Sequence, residues 1–227
     1  MHWCLYPAPA DLRFSWRNIY IQADSARHLP FYVRQPFTTY HVDLTLSEEE
    51  RWGNYTPKLR QNIRKARQFD FKIIRNHDLT RFLDIYTPIW QALGLIHLQE
   101  SHFATKSPEQ YLITFIEDET HGVLAAHVVQ LDHATKKVKL EYNASTFRRF
   151  ENGTGMRRLC GQANALLFEL DFGYFQNLGY EVFDFGGYDE RPTLQHFKRQ
   201  FGGKVVTNYN YFPFWFTWAK AIKNWLT

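Results

Sequence analysis

The chain has 227 residues, of which 44% are hydrophobic and 18% aromatic, enough to bury the core of one large domain. The aromatic content excludes an intrinsically disordered chain. A net charge of +4 is compatible with an anionic ligand but does not by itself indicate nucleic-acid binding. The two cysteines, Cys4 and Cys160, lie far apart and exclude a disulfide framework. The start has no signal-peptide pattern and no window is apolar enough to span a membrane, so we expect a cytoplasmic protein without stable membrane insertion.

The first half of the chain contains strand-like and helical patterns. Residues 17–23 and 39–46 alternate apolar and polar side chains and predict strands, and the acidic residues after them, 47–51, predict a linker. Thr56-Pro57 is a helix start, followed by an apolar stripe of Leu59, Ile63 and Ala66. The further predictions in this half are a strand at 71–75, helices at 79–93 and 108–117, and a loop at 95–107.

The second half predicts alternating strands and helices. Residues 122–131 and 137–144 indicate an antiparallel hairpin, with His127 as a hydrogen-bonded core residue. In the second hairpin strand the alternation places Val138, Leu140, Tyr142 and Ala144 on one face, opposite Lys139, Glu141 and Asn143. The remaining predictions are helices at 155–178, 193–201 and 215–225 and strands at 181–185 and 204–211. This order predicts an α/β (α+β) fold, with a mixed sheet and helices on both faces.

A glycine loop precedes the long helix at 155–178. Glycines let a ligand approach the backbone closely, and a helix N-terminus favours an anion, so this place suits a pyrophosphate. An ordinary turn before a helix is the alternative. The residues concerned are Asn152, Gly153, Thr154 and Gly155, with Arg149 beside them.

The stretch FDFGGYDERPTLQHFKRQFGGK, at 183–204, is the richest in the chain. Asp184 points away from the two phenylalanines beside it, and a polar group on a covered sheet needs a partner or a function. In the helix that follows, Phe197 packs on the core and Lys198 lies one position round at its edge. Lys198 could grip a phosphate or another negative charge, or its stem could cover the core while its charge reaches solvent.

Several other polar residues are candidates for chemistry, each with a simpler alternative. Glu141 could accept a proton from an amine or form a cross-strand ion pair. The stripe of Arg60, Arg64 and Arg67 could bind phosphate or be a solvated helix face. His97 and His102 share an irregular loop, but no set of histidines has metal-ligand spacing, so we expect no metal.

Three segments together resemble the FemABX-like branch of the GNAT acyltransferase superfamily. TPKLRQNIRKARQFDFKI resembles its "R-x-N-I-R-K-A" helix, and HGVLAAHVVQL with KVKLEYNAST resembles its central hairpin. YEVFDFGGYDE with LQHFKRQFGGKVV resembles its signature, a strand ending "D-F-G-G" followed by "F-K-x-x-F-G-G". The likeness covers roughly residues 55–212.

The resemblance implies a single GNAT-like domain whose two central strands, here 137–144 and 181–185, splay apart around an acyl donor. It places the donor pyrophosphate on the glycine loop and Phe197-Lys198 at the transfer site, where the lysine stabilises negative charge. Glu141 or Asp184 would act as base. On the acceptor side we expect the following residues: Arg60, Arg64, His97, His102, Tyr142 and Tyr188. The first hypothesis is therefore an N-acyltransferase that uses acyl-CoA and a small or glycan-linked amine, such as a cell-envelope precursor.

Two alternatives stay open. Acyl-CoA enzymes of this superfamily carry R/Q-x-x-G-x-G/A, whereas Phe150 occupies the first position here and Arg149 comes one residue earlier. Aminoacyl-tRNA is therefore a possible donor, although relatives that use it carry two such domains. We expect room here for one, at 51–227, after a strand-containing extension at 1–50. The other alternative is a non-catalytic module that contacts a membrane or a partner through the aromatic helix at 215–225.

Overall fold

A computed structural model describes residues 2–93, 97–103, 107–149, 154–188 and 191–218, and for residues 92, 93, 148, 149 and 154 it describes the backbone alone. The strands are β1 (His2–Leu5), β2 (Asn18–Ala23), β3 (Tyr32–Asp43), β4 (Lys72–Asn76), β5 (Tyr111–Asp118), β6 (Gly122–Asp132), β7 (Lys137–Ser145), β8 (Val182–Gly187) and β9 (Lys204–Pro213). The α-helices with described bounds are α1 (Glu48–Asn54), α2 (Pro57–Ala66), α3 (Leu79–Leu93), α4 (Thr154–Asn177) and α5 (Pro192–Arg199).

The chain divides into two compact units. The first comprises the described parts of residues 1–40, 187–189 and 205–227. In it β1 pairs parallel with β2, and β2 pairs antiparallel with β9. Its core is formed by Leu12, Tyr20, Ala23, Leu29 and Tyr211. The sequence did not indicate β1, and β3 begins earlier than the predicted strand at 39–46.

The second unit comprises the described parts of residues 41–186 and 190–204. Its strands follow the order β8-β7-β6-β5-β4, with the last residues of β3 beside β8. β7 and β8 are parallel, whereas β4 to β7 pair antiparallel. The predicted mixed sheet is therefore confirmed.

Helices cover both faces of this sheet, as predicted. Val128 belongs to a cluster with Phe82 and Tyr86 of α3. The preceding residue, His127, points to the opposite face, where its ring lies 3.9 Å from that of Phe168 in α4. Because neighbouring residues of a strand face opposite ways, α3 and α4 lie on opposite sides.

A buried polar network fastens α4 to the sheet. The Asp171 carboxylate, which is fully buried, accepts hydrogen bonds from Thr114 Oγ1 at 2.8 Å and Arg75 Nη2 at 3.4 Å. His127 Nδ1 lies 2.9 Å from Asp171, and its Nε2 lies 3.1 Å from Asn164 Oδ1. His127 is thus the hydrogen-bonded core residue that was predicted.

Two local predictions were wrong. The expected helix at 108–117 is a single 3-10 turn, Pro108–Gln110, followed by β5. The β-branched and aromatic residues of YLITFIED fit a strand buried at its centre better than a helix. The expected linker at 47–51 instead starts α1, because Ser47 and Glu50 form a capping box.

The prediction for the faces of β7 was also wrong. Val128 lies opposite Tyr142, but Val129 lies opposite Leu140, so the pairing skips Glu141. This is a β-bulge, which puts one extra residue into the strand. Leu140 and Tyr142, predicted to share a face, therefore point to opposite faces. The sequence carries no sign of it, because the alternation continues unbroken through the bulge.

The predicted C-terminal helix is described only in part. Residues 214–218 are helical, and the rest of the predicted span at 215–225 lies outside the described residues. Among the described residues, no helix is both long and apolar enough to cross a membrane.

The buried network predicts a large effect of a small substitution. Asp171→Asn removes the charge that three donors share, and we expect it to lower the free energy of unfolding by about 3 kcal/mol. The exposed Asp70 offers a control, since Asp70→Asn should change it by less than about 0.5 kcal/mol. Urea denaturation measures both, and equal midpoints for the two variants would contradict this account.

Candidate active site

The candidate site lies where β7 and β8 part. The paired residues are Lys137 with Val182, Val138 with Phe183, and Lys139 with Asp184. Both strands are described to their ends and continue to Ser145 and Gly187 without further pairs. The predicted splay of these two strands is confirmed, and the bulge at Glu141 lies in the splayed part of β7.

Gly186 of β8 lies just beyond the last residue pair between β7 and β8. Its φ of 71° is left-handed, and a Cβ added to it would lie 3.2 Å from the carbonyl oxygen of Leu140, so only glycine fits without strain. Its N–H donates to Asp184 Oδ1 at 2.7 Å, and its carbonyl accepts from Lys198 Nζ at 3.3 Å. One peptide segment is therefore held between a carboxylate and an ammonium.

Lys198 is more buried than the sequence suggested. It is the buried residue of α5, with 9% of its surface exposed, whereas the sequence placed it at the edge of the core. Phe197 is half-buried, and its ring lies 5.4 Å from that of Phe201 and 5.7 Å from that of Phe168. Lys198 does not reach out into solvent, so the alternative of a surface lysine with a covered stem is wrong.

Asp184 has a neighbour that the sequence did not single out. The Asp184 carboxylate is fully buried, and its Oδ2 lies 3.6 Å from His41 Nε2. Leu44 N–H donates to the carbonyl of Glu181, so the end of β3 runs alongside β8 in the opposite direction and brings His41 level with Asp184. His41 lies on the polar face of an alternating strand, but which residue it contacts depends on the strand beside it.

Glu141 forms an ion pair, although not across strands. Lys139 Nζ, two residues earlier in β7, lies 3.0 Å from Glu141 Oε1, and both side chains are more than four-fifths buried. Burial and the charge of Glu141 raise the pKa of the next residue, Tyr142, to about 12. The Tyr142 ring packs against Tyr86 at 5.6 Å and Phe103 at 6.1 Å. A neutral phenol and a carboxylate thus stand side by side at the bulge.

The other residues expected on the acceptor side have local contacts. Arg60 Nη1 donates to the carbonyls of Trp52 at 3.2 Å and Gly53 at 3.0 Å, and Arg64 lies over the Trp52 ring. These contacts fasten α2 to α1. Their role in acceptor binding stays a prediction.

The expected histidines and Tyr188 also have neighbours in their own segments. The His97 ring stacks on Trp90 at 4.5 Å, and His102 Nδ1 accepts from the Gln99 N–H at 3.1 Å. In the first unit, Tyr188 stacks on Tyr40 at 6.0 Å. None of these contacts tests a role in binding.

The predicted donor loop is described only at its end. Asn152 and Gly153, together with the side chains of Arg149 and Thr154, lie outside the described residues. Gly155 lies in the first turn of α4, with nothing within 4 Å of where a Cβ would be. Pyrophosphate binding here stays a prediction. In the described parts of the chain, no three His, Cys, Asp or Glu side chains are grouped to hold a metal ion.

Comparison with known proteins shows which class of fold this is. No protein-family model matches the sequence, and no curated protein matches it. The structure is similar to that of FemX, with a TM-score of 0.64 and 14% identity over 80% of this chain. It is also similar, with TM-scores of 0.56, to the C-terminal domain of a protein named as a lysylphosphatidylglycerol synthetase from Agrobacterium fabrum and to L-PGS from Bacillus licheniformis.

These similarities extend over most of this chain but not all of the other chains. The Agrobacterium fabrum domain is 14% identical over 86% of this chain, and the Bacillus licheniformis protein is 13% identical over 87%. The matches cover 62% of the FemX chain, less than two thirds of its length, and 67% and 68% of the other two. The chain therefore has the GNAT-like fold found in FemX, as its sequence motifs indicated.

Gly202, just after α5, and Gly161, within α4, predict opposite effects of substitution by alanine. A Cβ at Gly202 would lie 2.5 Å from Asn54 Cβ and 2.6 Å from its carbonyl, and φ there is 69°. Gly202→Ala should therefore lower the free energy of unfolding by about 2 kcal/mol. Gly161→Ala, in an open position of α4, should raise it by about 1 kcal/mol. Thermal melting compares them, and a shift of the same sign in both would contradict this structural reason for Gly202.

The arginine stripe predicts a pH-dependent stability. Burial raises the pKa of Glu169, and the guanidinium of Arg67, 2.8 Å away, opposes this rise. Arg67→Met should raise the pKa of folded Glu169 further. Relative to the wild-type protein, the variant therefore loses stability as pH rises from the wild-type pKa of Glu169 to its pKa in the variant. We expect a loss of about 1 kcal/mol near neutral pH, limited because Arg67 is half exposed. The loss should vanish at acid pH, where Glu169 is protonated in both folded and unfolded chains.

Arg64→Met is the matched control for this experiment, since Arg64 also lies over Trp52 but belongs to no ion pair among the described residues. Urea unfolding at several pH values measures both variants. A loss in Arg67→Met that does not depend on pH would mean that its contact with Trp52, and not its charge, stabilises the protein.

Proposed function

We propose that this protein is an N-acyltransferase that moves an acyl group from an acyl-CoA thioester to an amine, with the opening between β7 and β8 as its active site. The observation that carries the proposal is the buried ammonium of Lys198, held at the Gly186 carbonyl where the two strands part. An ammonium that is kept out of solvent beside the point where two strands part is suited to stabilise a developing negative charge.

The geometry supports a direct transfer. The amine nitrogen attacks the thioester carbonyl carbon, and its electrons move onto the carbonyl oxygen. Lys198 and backbone N–H groups of the splayed part of β7 stabilise that oxyanion. The C–S bond then breaks, the electron pair leaves with sulfur as the thiolate, and the carbonyl re-forms as an amide.

Glu141 is suited to accept the proton that the amine loses. It lies at the bulge, in the splayed part of β7, and its side chain is 18% exposed. The Asp184 carboxylate is fully buried and is bonded to the Gly186 N–H. We therefore assign Asp184 a positioning role, which holds Gly186 and faces His41, and assign proton transfer to Glu141.

A second candidate has the same site but an aminoacyl donor. It is favoured by the names of two structures with similar folds, FemX and a lysylphosphatidylglycerol synthetase. In this case an aminoacyl-tRNA ester would replace the thioester, and exposed basic residues such as Lys58 and Lys65 of α2 would meet the RNA. Binding of charged tRNA should then weaken steeply as salt rises.

The proposal predicts a specific loss of catalysis in Lys198→Met. Thiol release from acetyl-CoA and longer acyl-CoA esters, measured with a panel of amines, should show a kcat/KM lowered by about 100-fold to 1000-fold, because the oxyanion loses a charged donor. The thermal midpoint should fall only slightly, because the lost hydrogen bond to the Gly186 carbonyl is offset by the removal of a charge that is costly to bury. Lys204→Met, at the exposed start of β9, should leave both quantities unchanged.

The possible results distinguish an acyl-CoA donor, an aminoacyl-tRNA donor and a non-catalytic role. Thiol release by the wild-type protein that persists in Lys198→Met would remove Lys198 from the mechanism. If calorimetric titration shows no binding of CoA or acetyl-CoA to the wild-type protein, the acyl-CoA donor is wrong, and transfer of a labelled amino acid from charged tRNA is tested instead. If neither donor reacts, the non-catalytic interpretation stands.

A further inference from the structure

Three aromatic side chains in the first unit form a patch that faces solvent. The exposed fractions are 42% for Phe14, 60% for Trp16 and 63% for Phe31. Their rings touch edge to face, with centroids 5.1 Å apart for Phe14 and Trp16 and 5.3 Å apart for Phe14 and Phe31. Single exposed apolar residues are ordinary, but a contiguous group of large ones indicates a surface that is covered by something else.

Phe31 is held at the surface against its own backbone preference. Tyr32 N–H donates to the Leu29 carbonyl at 3.2 Å, and Phe31 has a φ of 63°. With Pro30 before it, this is the pattern of a type II turn, whose third position favours glycine or asparagine. A phenylalanine there costs folding free energy and, being mostly exposed, recovers little of it by burial. The fold alone does not explain this residue.

The loop that carries Phe14 and Trp16 is fastened from beneath. Tyr20 Oη donates to the carbonyl of Arg13 at 2.8 Å, and Tyr32 Oη donates to that of Ser15 at 2.7 Å. The backbone is therefore fixed while its aromatic side chains point outward. Because this loop is already ordered in the free protein, less conformational entropy is lost when it binds.

Two exposed arginines flank the aromatic residues in the sequence R-F-S-W-R. Among the described residues, neither the Arg13 nor the Arg17 guanidinium has a hydrogen bond or an acidic partner. Solvent-facing arginines next to Trp and Phe are the combination that suits the interface of a membrane. There the rings enter the headgroup region and the cations meet lipid phosphates.

We propose that the aromatic patch (Phe14, Trp16 and Phe31), with Arg13 and Arg17, is a docking surface for an anionic phospholipid bilayer. The charge of the two arginines complements an anionic surface. The protein would lie on the membrane through this patch without spanning it. The proposal concerns residues other than those of the candidate active site and does not depend on the acyl donor.

The experiment is vesicle co-sedimentation of the full chain. One set of vesicles is phosphatidylcholine alone, and the other is phosphatidylcholine with phosphatidylglycerol in a roughly 2:1 ratio. We expect binding to the anionic vesicles only. Trp16→Ser and Phe31→Asn should each weaken it about tenfold, since each removes aromatic area from the interface. Arg13→Gln with Arg17→Gln should weaken it about 25-fold at low salt, about fivefold for each charge.

Matched controls remove the same groups elsewhere. Phe69→Ser removes an aromatic side chain that is 46% exposed in the second unit, and Lys58→Gln with Lys65→Gln removes two exposed charges from α2. Both should bind vesicles like the wild-type protein. Phe31→Asn also separates docking from folding, because asparagine tolerates the positive φ. Its thermal midpoint should stay the same or rise while vesicle binding falls.

Three results would overturn the proposal. The first is no binding of the wild-type protein to anionic vesicles, and the second is equal binding by the wild-type protein and the patch variants. The third is self-association in analytical ultracentrifugation without vesicles that Trp16→Ser abolishes while vesicle binding stays unchanged. This last result would make the patch an interface between two copies of the chain.

Discussion

The site depends on the two hydrogen bonds that hold the Gly186 peptide groups. A carboxylate and an ammonium would each be costly to bury alone. Here the N–H of Gly186 meets Asp184 and its carbonyl meets Lys198, so the backbone lies between opposite charges and lowers the cost of both. The same residue is best as glycine, because its left-handed φ and the nearby Leu140 carbonyl would strain any side chain. The burial of the lysine, the parting of the strands and the glycine are therefore one arrangement, in which each part supports the others.

Most elements of the fold follow from local sequence patterns. The predicted helix at 79–93 matches α3, and the hairpin of β6 and β7 lies where the alternation placed it. Two failures concern signals that the sequence does carry. The β-branched and aromatic residues of YLITFIED favour the strand that pairs with β4 and β6, and Ser47 with Glu50 forms the capping box of α1. The bulge at Glu141 is a property of two paired strands, and a single strand's alternation does not contain it.

The candidate site was predictable in its motifs but not in its contacts. The motif contains Lys198, which the structure places at the Gly186 carbonyl, yet the burial of this lysine depends on the packing of α5 against the sheet. No local pattern points to His41, because it precedes Asp184 by 143 residues and shares no motif with it. Only the position of β3 beside β8 brings the two side chains together. The stripe of arginines also has contacts that its pattern did not predict, since Arg60 donates to carbonyl groups at the end of α1 and Arg67 donates to Glu169. Phosphate binding by this stripe stays a prediction.

Residues whose burial or backbone conformation costs folding free energy are the strongest guide to function in this chain. In the second unit this is the buried Lys198 ammonium, where a hydrophobic residue of similar size would be cheaper to bury. In the first unit it is Phe31, an exposed aromatic residue with a left-handed backbone. Neither cost is required to build the elements around it, because α5 and the turn at Leu29 would form with an apolar residue and an asparagine at these positions. A sequence in which most local choices agree with the fold therefore departs from it at the candidate active site and, separately, at the proposed docking surface.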